Sequence, residues 1–388
     1  MSWKIHDLHD GIFGLDTRKQ TGEILKGYGA SRVLVVCGPN IKKLGYADEL
    51  VDILTDAGIE SVVYVKSEGE PTGDMVNKGA AIARENKVNG IVGLGGGSSM
   101  DTAKMIGKVL ANDAGRAEDL LGGYTALNVG SKKYEPVLLL STTAGTGSEV
   151  SYGLMCENMD NLKKTFCIHP GTYAVIDPYY HRTQPKDITA CCGLDALAHS
   201  LESLCNSSAM VNPLADMYCK EGIRATWDNL YRAYSDPDDI EARSGMAYAA
   251  MIGGSAITLR KTNLGHAISN QLVDYYHFSH GVAVSIGLIA QVKYNIEKDP
   301  ASSALIGPCM GIHVDGSSDL KAVGREIYER IHKLSRDMGV KNMSELGVPE
   351  EFCDTIADNV SKDTKWTIVP NPPDFEYLRV ILHQIWAE

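Results

Sequence analysis

The stretch GIVGLGGGSSMDTAK, residues 90–104, decides how this chain is read. A short apolar run, 90–94, ends in three consecutive glycines and two serines, and residues 99–112 then show helical spacing. Glycines let a backbone approach an anion closely, and the free N–H groups and dipole of the next helix point at it. That arrangement is a phosphate site in outline. It is neither GxGxxG nor a Walker A loop, because no Gly-Lys-Ser/Thr closes it. The same residues also suit a tight strand-to-helix turn with no ligand.

Working outward, strand-like and helix-like windows alternate. RVLVVCG (32–38), ESVVYV (60–65), GIVGLGGG (90–97), EPVLLLST (135–142) and TYAVIDP (172–178) read as strands. YADELVDILTDAG (46–58), DMVNKGAAIARENK (74–87) and SMDTAKMIGKVLAN (99–112) read as the helices between them. Such alternation predicts a parallel sheet with helices on both faces. From about residue 186 the windows are helical and clear strands are absent. The expectation is an α/β dinucleotide-binding domain over 1–185 and an all-helical domain over 186–388, joined near 177–188.

A second glycine loop, LLSTTAGTGSEVS (139–151), also follows an apolar strand. Its Thr142, Thr143, Thr146 and Ser148 hydroxyls suit phosphate or ribose. Two polar glycine loops at the carboxyl ends of neighbouring strands point to a nucleotide crevice.

Bulk properties set limits on function. The 388 residues exceed one ordinary core, and 44% hydrophobic content is ample for two. A net charge of -12 without a basic run disfavours nucleic acid and anionic membranes as partners. Nine scattered cysteines with no CxxC pair read as reduced thiols, so a cytoplasmic location is expected. MSWKIHDLHDGIF has no basic head followed by an apolar stretch, so no secretory signal is expected. No apolar run is long enough to predict a membrane span.

GLDALAHSLE (193–202) sets Asp195 and His199 four apart, on one helical face. That spacing permits a metal site and equally an ordinary helix hydrogen bond. His266 and His280 lie in the same helical half. One carboxylate with three imidazoles suits Fe(II), Zn(II) or a neighbouring divalent metal. His277, three residues before His280, is a candidate for the surroundings of such a site. His6, His9, His169, His181 and His332 read as surface or loop residues.

Taken together, GGGSSMDTAK (95–104), TTAGTGSEVS (142–151), DALAHSLE (195–202) and GHAISNQLVDYYHFSHG (265–281) resemble the iron-containing (group III) alcohol dehydrogenases. The resemblance implies a Rossmann-like dinucleotide domain followed by an all-α domain, as in the dehydroquinate synthase-like folds. It implies Asp195, His199, His266 and His280 as ligands of Fe(II), with Zn(II) or another divalent metal as alternatives. It implies a pyrophosphate loop at Gly95, Gly96, Gly97 and Ser98, with Asp101 just after. Thr142, Thr143, Thr146 and Ser148 fall on a second cofactor loop, and Lys163 falls near the nicotinamide ribose. The implied chemistry is reversible interconversion of a small alcohol and its carbonyl with NAD(P)(H), usually by a homo-oligomer. Rival readings are a glycerol dehydrogenase-like polyol oxidoreductase using zinc and a nucleotide-binding protein without turnover.

Two departures stand out. Many members carry a further histidine one turn after the third ligand, where this chain has Asn270; a proton relay would then fall to water, His277 or the ribose hydroxyl. NAD-preferring members often place an aspartate after the first strand, where this chain has Gly38, followed by Pro39 and Asn40. A glycine removes the charge that repels a 2'-phosphate, so NADP(H) is expected to be accepted.

Overall fold

In the computed structural model, which describes residues 10–121, 136–160, 163–168, 172–207, 212–370 and 374–388, the apolar runs form one parallel sheet. Its chain order is β1 (Asp10–Phe13), α1 (Thr21–Gly27), β2 (Arg32–Cys37), α2 (Pro39–Lys43), α3 (Tyr46–Asp56), β3 (Glu60–Val65), α4 (Gly73–Glu85), β4 (Gly90–Gly95), α5 (Gly97–Ala111), β5 (Val137–Ser141), β6 (Gly153–Asn158), β7 (Lys163–Ile168) and β8 (Tyr173–Ile176). The six-stranded sheet runs β1-β8-β5-β4-β2-β3, every neighbouring pair parallel. β6 and β7 form a separate antiparallel pair.

Alternation along the strands feeds two apolar layers. Leu34, Val36, Ile91 and Leu139 pack with α4 and α5 residues such as Val76, Ala80, Met100 and Ile106. Val33, Val35, Val92, Leu94, Leu138 and Leu140 pack with Leu25, Leu50 and Leu54 of α1 and α3. β5 is buried along its whole length, which is why VLLLS reads as an unbroken apolar run rather than an alternating one.

The chain leaves β2 for β3 on one side and returns to β4 on the other. The order therefore reverses between β2 and β4, and ligands of open α/β sheets sit at the carboxyl ends of strands at such a reversal.

Three details differ from the sequence reading. β4 stops at Gly95, and α5 begins at Gly97, two residues earlier than its apolar spacing suggests. Strand β1 and the β6–β7 pair are additions; β1 is a four-residue strand that is mostly exposed, and GLMCEN and KKTFCI contain no apolar run that marks a strand. His181, expected at the surface, is buried, its Nε2 lying 3.0 Å from the Ser141 carbonyl and 3.2 Å from its hydroxyl.

The remaining elements are helices: α6 (Lys186–Leu204), α7 (Pro213–Ser235), α8 (Ile240–Arg260), α9 (Leu264–Tyr276), α10 (His280–Lys298), α11 (Pro300–Ile306), α12 (Leu320–Asp337), α13 (Phe352–Val360) and α14 (Phe375–Ile385). They share one core in which α6 is almost wholly enclosed from Gly193 to Leu204. The chain divides into two compact units. One holds the sheet and ends with Gly147–Thr183; the other holds Gln184–Glu388 together with the short segment Ala144–Thr146. No helix among the described residues is long and apolar enough to cross a membrane.

Candidate metal and dinucleotide sites

α6 carries Asp195, His199 and Glu202 at i, i+4 and i+7, so one face presents all three. His266 stands in the first turn of α9, and His280 is the first residue of α10. Asn263 caps α9 through its own side chain and donates from Nδ2 to the carbonyls of Glu202 and Cys205, tying the start of α9 to the end of α6.

These elements bring four ligand atoms together. The Nε2 atoms of His199, His266 and His280 lie 3.3, 3.6 and 3.6 Å from Asp195 Oδ1. All four atoms fall within 4.8 Å of one another. A tetrahedral ion held about 2.1 Å from each ligand sets neighbouring ligands roughly 3.4 Å apart, close to these spacings. Asp195 Oδ1 and His266 Nε2 are buried without a hydrogen-bond partner. Two such orphaned atoms facing each other are costly unless something else satisfies them. The donor set therefore fits a divalent cation. Asp195, His199 and His266 are buried, whereas the His280 side chain keeps 32% of its surface exposed, so the cluster is open on the His280 side.

The electrostatics agree. Burial opposes ionisation of Asp195, but the facing imidazoles, His199 first, hold its carboxyl well below the usual carboxylate range. Burial pushes the His199 imidazole down, so it stays neutral and ready to donate a lone pair. Burial also opposes charge on His266, but Glu202 on one side and Asp195 on the other outweigh it and raise the group. Metal-free, His266 thus holds a proton that an incoming cation displaces. Glu202 escaped the sequence reading; its seven-residue spacing from Asp195 was the available signal.

His277 is not one of the converging groups. It ends α9 with a left-handed backbone, φ 53°, and is exposed. Asn270 is half-buried on α9, and its neighbour Gln271 accepts from Asn359 Nδ2 at 2.9 Å.

In the sheet unit, both glycine loops stand at adjacent strands. Thr142 N donates to the Gly95 carbonyl at 3.0 Å, and Gly95 has φ +149°, a backbone that strains any other residue. No side chain caps α5, and no acidic residue lies in its first turn, which suits an anion at this fifteen-residue helix. Ser98 donates through Oγ to the Gly69 carbonyl at 2.6 Å. Gly38, Pro39 and Asn40 follow β2 at the point of reversal; Gly38 caps α2, and a side chain there would meet only Ser99 Oγ, at 3.8 Å. Thr143 is half-buried beside Gly96.

Asp101 points inward. Its carboxylate accepts from Ser148 Oγ at 2.5 Å and from Met155 N at 2.9 Å. Lys104, fully buried, donates to Ser148 Oγ at 2.8 Å and to the carbonyls of Ser151 and Gly153 at 3.0 Å. Thr146 belongs to the helical unit, as do Ala144, whose N–H donates to Gln184 Oε1, and Gly145, which lies against Cys192. Lys163 opens β7 opposite Asn158; its side chain lies outside the described residues, as do His6, His9 and His169.

Comparison with known proteins agrees in both halves. Residues 9–178 match the family model "Iron-containing alcohol dehydrogenase", and residues 189–386 match "Fe-containing alcohol dehydrogenase family, C-terminal". A choline dehydrogenase of Bacillus subtilis is 33% identical over 90% of this chain and 87% of its own length. An NAD-dependent methanol dehydrogenase of Bacillus methanolicus is 30% identical over 91% of each. The crystal structure of a 1,3-propanediol oxidoreductase superposes with a TM-score of 0.91 at 27% identity, covering 98% of this chain and all of that one.

Proposed function

This chain belongs to the iron-containing alcohol dehydrogenase family, and on that premise we propose that it is a metal-dependent enzyme interconverting small alcohols and their aldehydes with NAD(P)(H). The observation that carries the reading is the convergence of Asp195 Oδ1 with three imidazole nitrogens, two of the four atoms being buried and orphaned. Bound there, a divalent metal supplies a Lewis acid for a substrate oxygen, and a nicotinamide cofactor supplies hydride exchange.

The chain's own residues do the rest. Asp195, His199, His266 and His280 hold the ion. Asp195 contributes one negative charge, which keeps part of the cation's charge available to polarise an oxygen. The exposed side at His280 is where a substrate oxygen enters. Gly95, Gly96, Gly97 and Ser98, at the free end of α5, take the pyrophosphate. Thr142, Thr143 and Thr146 offer hydroxyls to the cofactor, while Asp101 and Ser148 hold the second loop in shape. Lys163 is assigned to the ribose by resemblance. With asparagine at 270, the proton leaves through water, the ribose hydroxyl or the exposed His277.

Fe(II) is proposed as the metal, with Zn(II) as the alternative. NADP(H) is proposed to serve beside NAD(H), because Gly38 places no carboxylate after β2. The functional boundary is proposed at 185/186, with dinucleotide binding before it and the metal after it. A cytoplasmic homo-oligomer completes the proposal; the free thiols among the described residues support that compartment.

The test is turnover of choline, methanol, 1,3-propanediol and their aldehydes, alcohols suggested by the relatives' names, with both cofactors and measured metal content. Activity that needs metal and is lost with the metal in His266→Ala is expected. Full turnover by that variant after chelation sinks the reading.

A further inference from the structure

We propose that Glu202 is a positioning residue of the metal centre, fixing the tautomer of His266 so that Nε2 presents its lone pair to the ion. The inference rests on the metal reading above and concerns a residue that touches neither substrate nor cofactor.

Glu202 is fully buried. Its Oε1 lies 2.8 Å from His266 Nδ1, and its Oε2 accepts from Asn263 N at 2.7 Å and His266 N at 3.2 Å. The α9 backbone is shaped to admit it: any side chain at Gly265 would run into Oε1. An ionised carboxylate only accepts, so Nδ1 must carry the hydrogen. The neutral imidazole that remains once a cation has displaced the extra proton has one N–H, on Nδ1, which leaves the Nε2 lone pair free for the ion. His199, the other buried imidazole of the cluster, has no such clamp among the described residues; its Nδ1 is buried without a partner. Glu202 also supplies a second buried negative charge, so that with Asp195 it balances a divalent cation.

Glu202→Gln separates this role from a structural one. The glutamine carbonyl can keep both backbone N–H groups of α9. Its amide NH2 then faces Nδ1, which must become an acceptor, and the imidazole hydrogen moves to Nε2, the metal-facing atom. Glu202→Ala leaves both backbone donors unsatisfied and opens a cavity, but leaves His266 free to choose its tautomer. Glutamine should therefore be the more stable variant and the weaker metal binder. That inverted order is the signature of positioning.

The experiment titrates zinc-loaded protein with a competing chelator, alongside thermal melts of the metal-free forms. For Glu202→Gln a loss of zinc affinity of about 100-fold is expected, the upper end of what partners of metal-bound histidines contribute. Its metal-free melting temperature should lie above that of Glu202→Ala. Zinc affinity within threefold of wild type, or affinity that simply follows stability across the variants, overturns the proposal. His266→Ala is the control for the underlying reading: if it binds zinc as tightly as wild type, the metal site itself is wrong, not only the role of Glu202. Nitrogen-15 spectra of zinc-loaded wild type need no variant to fold, and a hydrogen on Nε2 rather than Nδ1 of His266 would likewise refute the assignment.

Discussion

Ser148 donates a 2.5 Å hydrogen bond to Asp101, joining the loop after β5 to the helix that follows β4. The same serine accepts from Lys104, and Asp101 also receives the Met155 N–H, so one buried network fixes the shape of both glycine loops. Asp101→Asn puts an amide donor against either Ser148 or Met155. Losing a hydrogen bond to a charged acceptor costs about 1.5–3 kcal/mol. We expect the dissociation constant for the dinucleotide, read by fluorescence titration, to rise at least tenfold, with metal content unchanged.

Gly145 has no room for a methyl group. A Cβ there would sit 2.7 Å from Cys192 Cβ and 3.0 Å from Cys192 Cα and carbonyl oxygen. All three atoms belong to Cys192 on α6, a helix locked into the core of the helical unit. Gly145→Ala should lower stability by about 1–3 kcal/mol, the usual cost of overpacking, seen as a drop of several degrees in a thermal melt.

Metal removal should destabilise as well as inactivate. The four converging ligands exist only in the folded chain, so the cation binds that state and shifts the folding equilibrium. Chelation is expected to lower the melting temperature, and Fe(II) or Zn(II) should restore it. A melt that ignores both treatments would argue against an ion between Asp195 and the three histidines.

Gly38 bears on cofactor choice. Gly38→Asp adds a carboxylate at the end of β2, where a side chain meets nothing closer than Ser99 Oγ. The variant should fold normally and lose at least tenfold in kcat/KM with NADPH relative to NADH. A wild-type preference for NADH of a hundredfold would refute the idea that Gly38 admits NADP(H).

Glu149 gives the chain a pH-dependent stability. Burial raises its carboxyl to about 7, against the opposing pull of Lys104, and Oε2 has no hydrogen-bond partner. Below pH 4.5, its ordinary value, folded and unfolded chains both hold the proton. Between 4.5 and about 7 only the folded chain keeps it, so stability falls as pH rises through that window and levels off above it. Against Glu149→Gln, wild-type melting temperature should decline by a few degrees across the window; parallel profiles would show that Glu149 does not titrate this way.

Much of this was legible in the linear chain because it is local. Short apolar runs define β2, β4 and β5, the first two ending in glycine, and all three are buried almost throughout. Helical spacing alone puts Asp195 and His199 on one face. The strands β1, β6 and β7 were not legible, since DGIF, GLMCEN and KKTFCI contain no apolar β-branched run.

What the sequence determined by itself was the order of elements, the two glycine loops and the residue types able to hold a cation. Tertiary structure decided how those types are used. Glu202 meets His266 across 64 residues, and Asp101 meets Ser148 across 47, with its carboxylate turned inward. Such pairings depend on how a helix is rotated against its neighbours, which is set by the whole core at once. Hydrogen bonds then become specific because buried polar groups must find partners wherever packing leaves them.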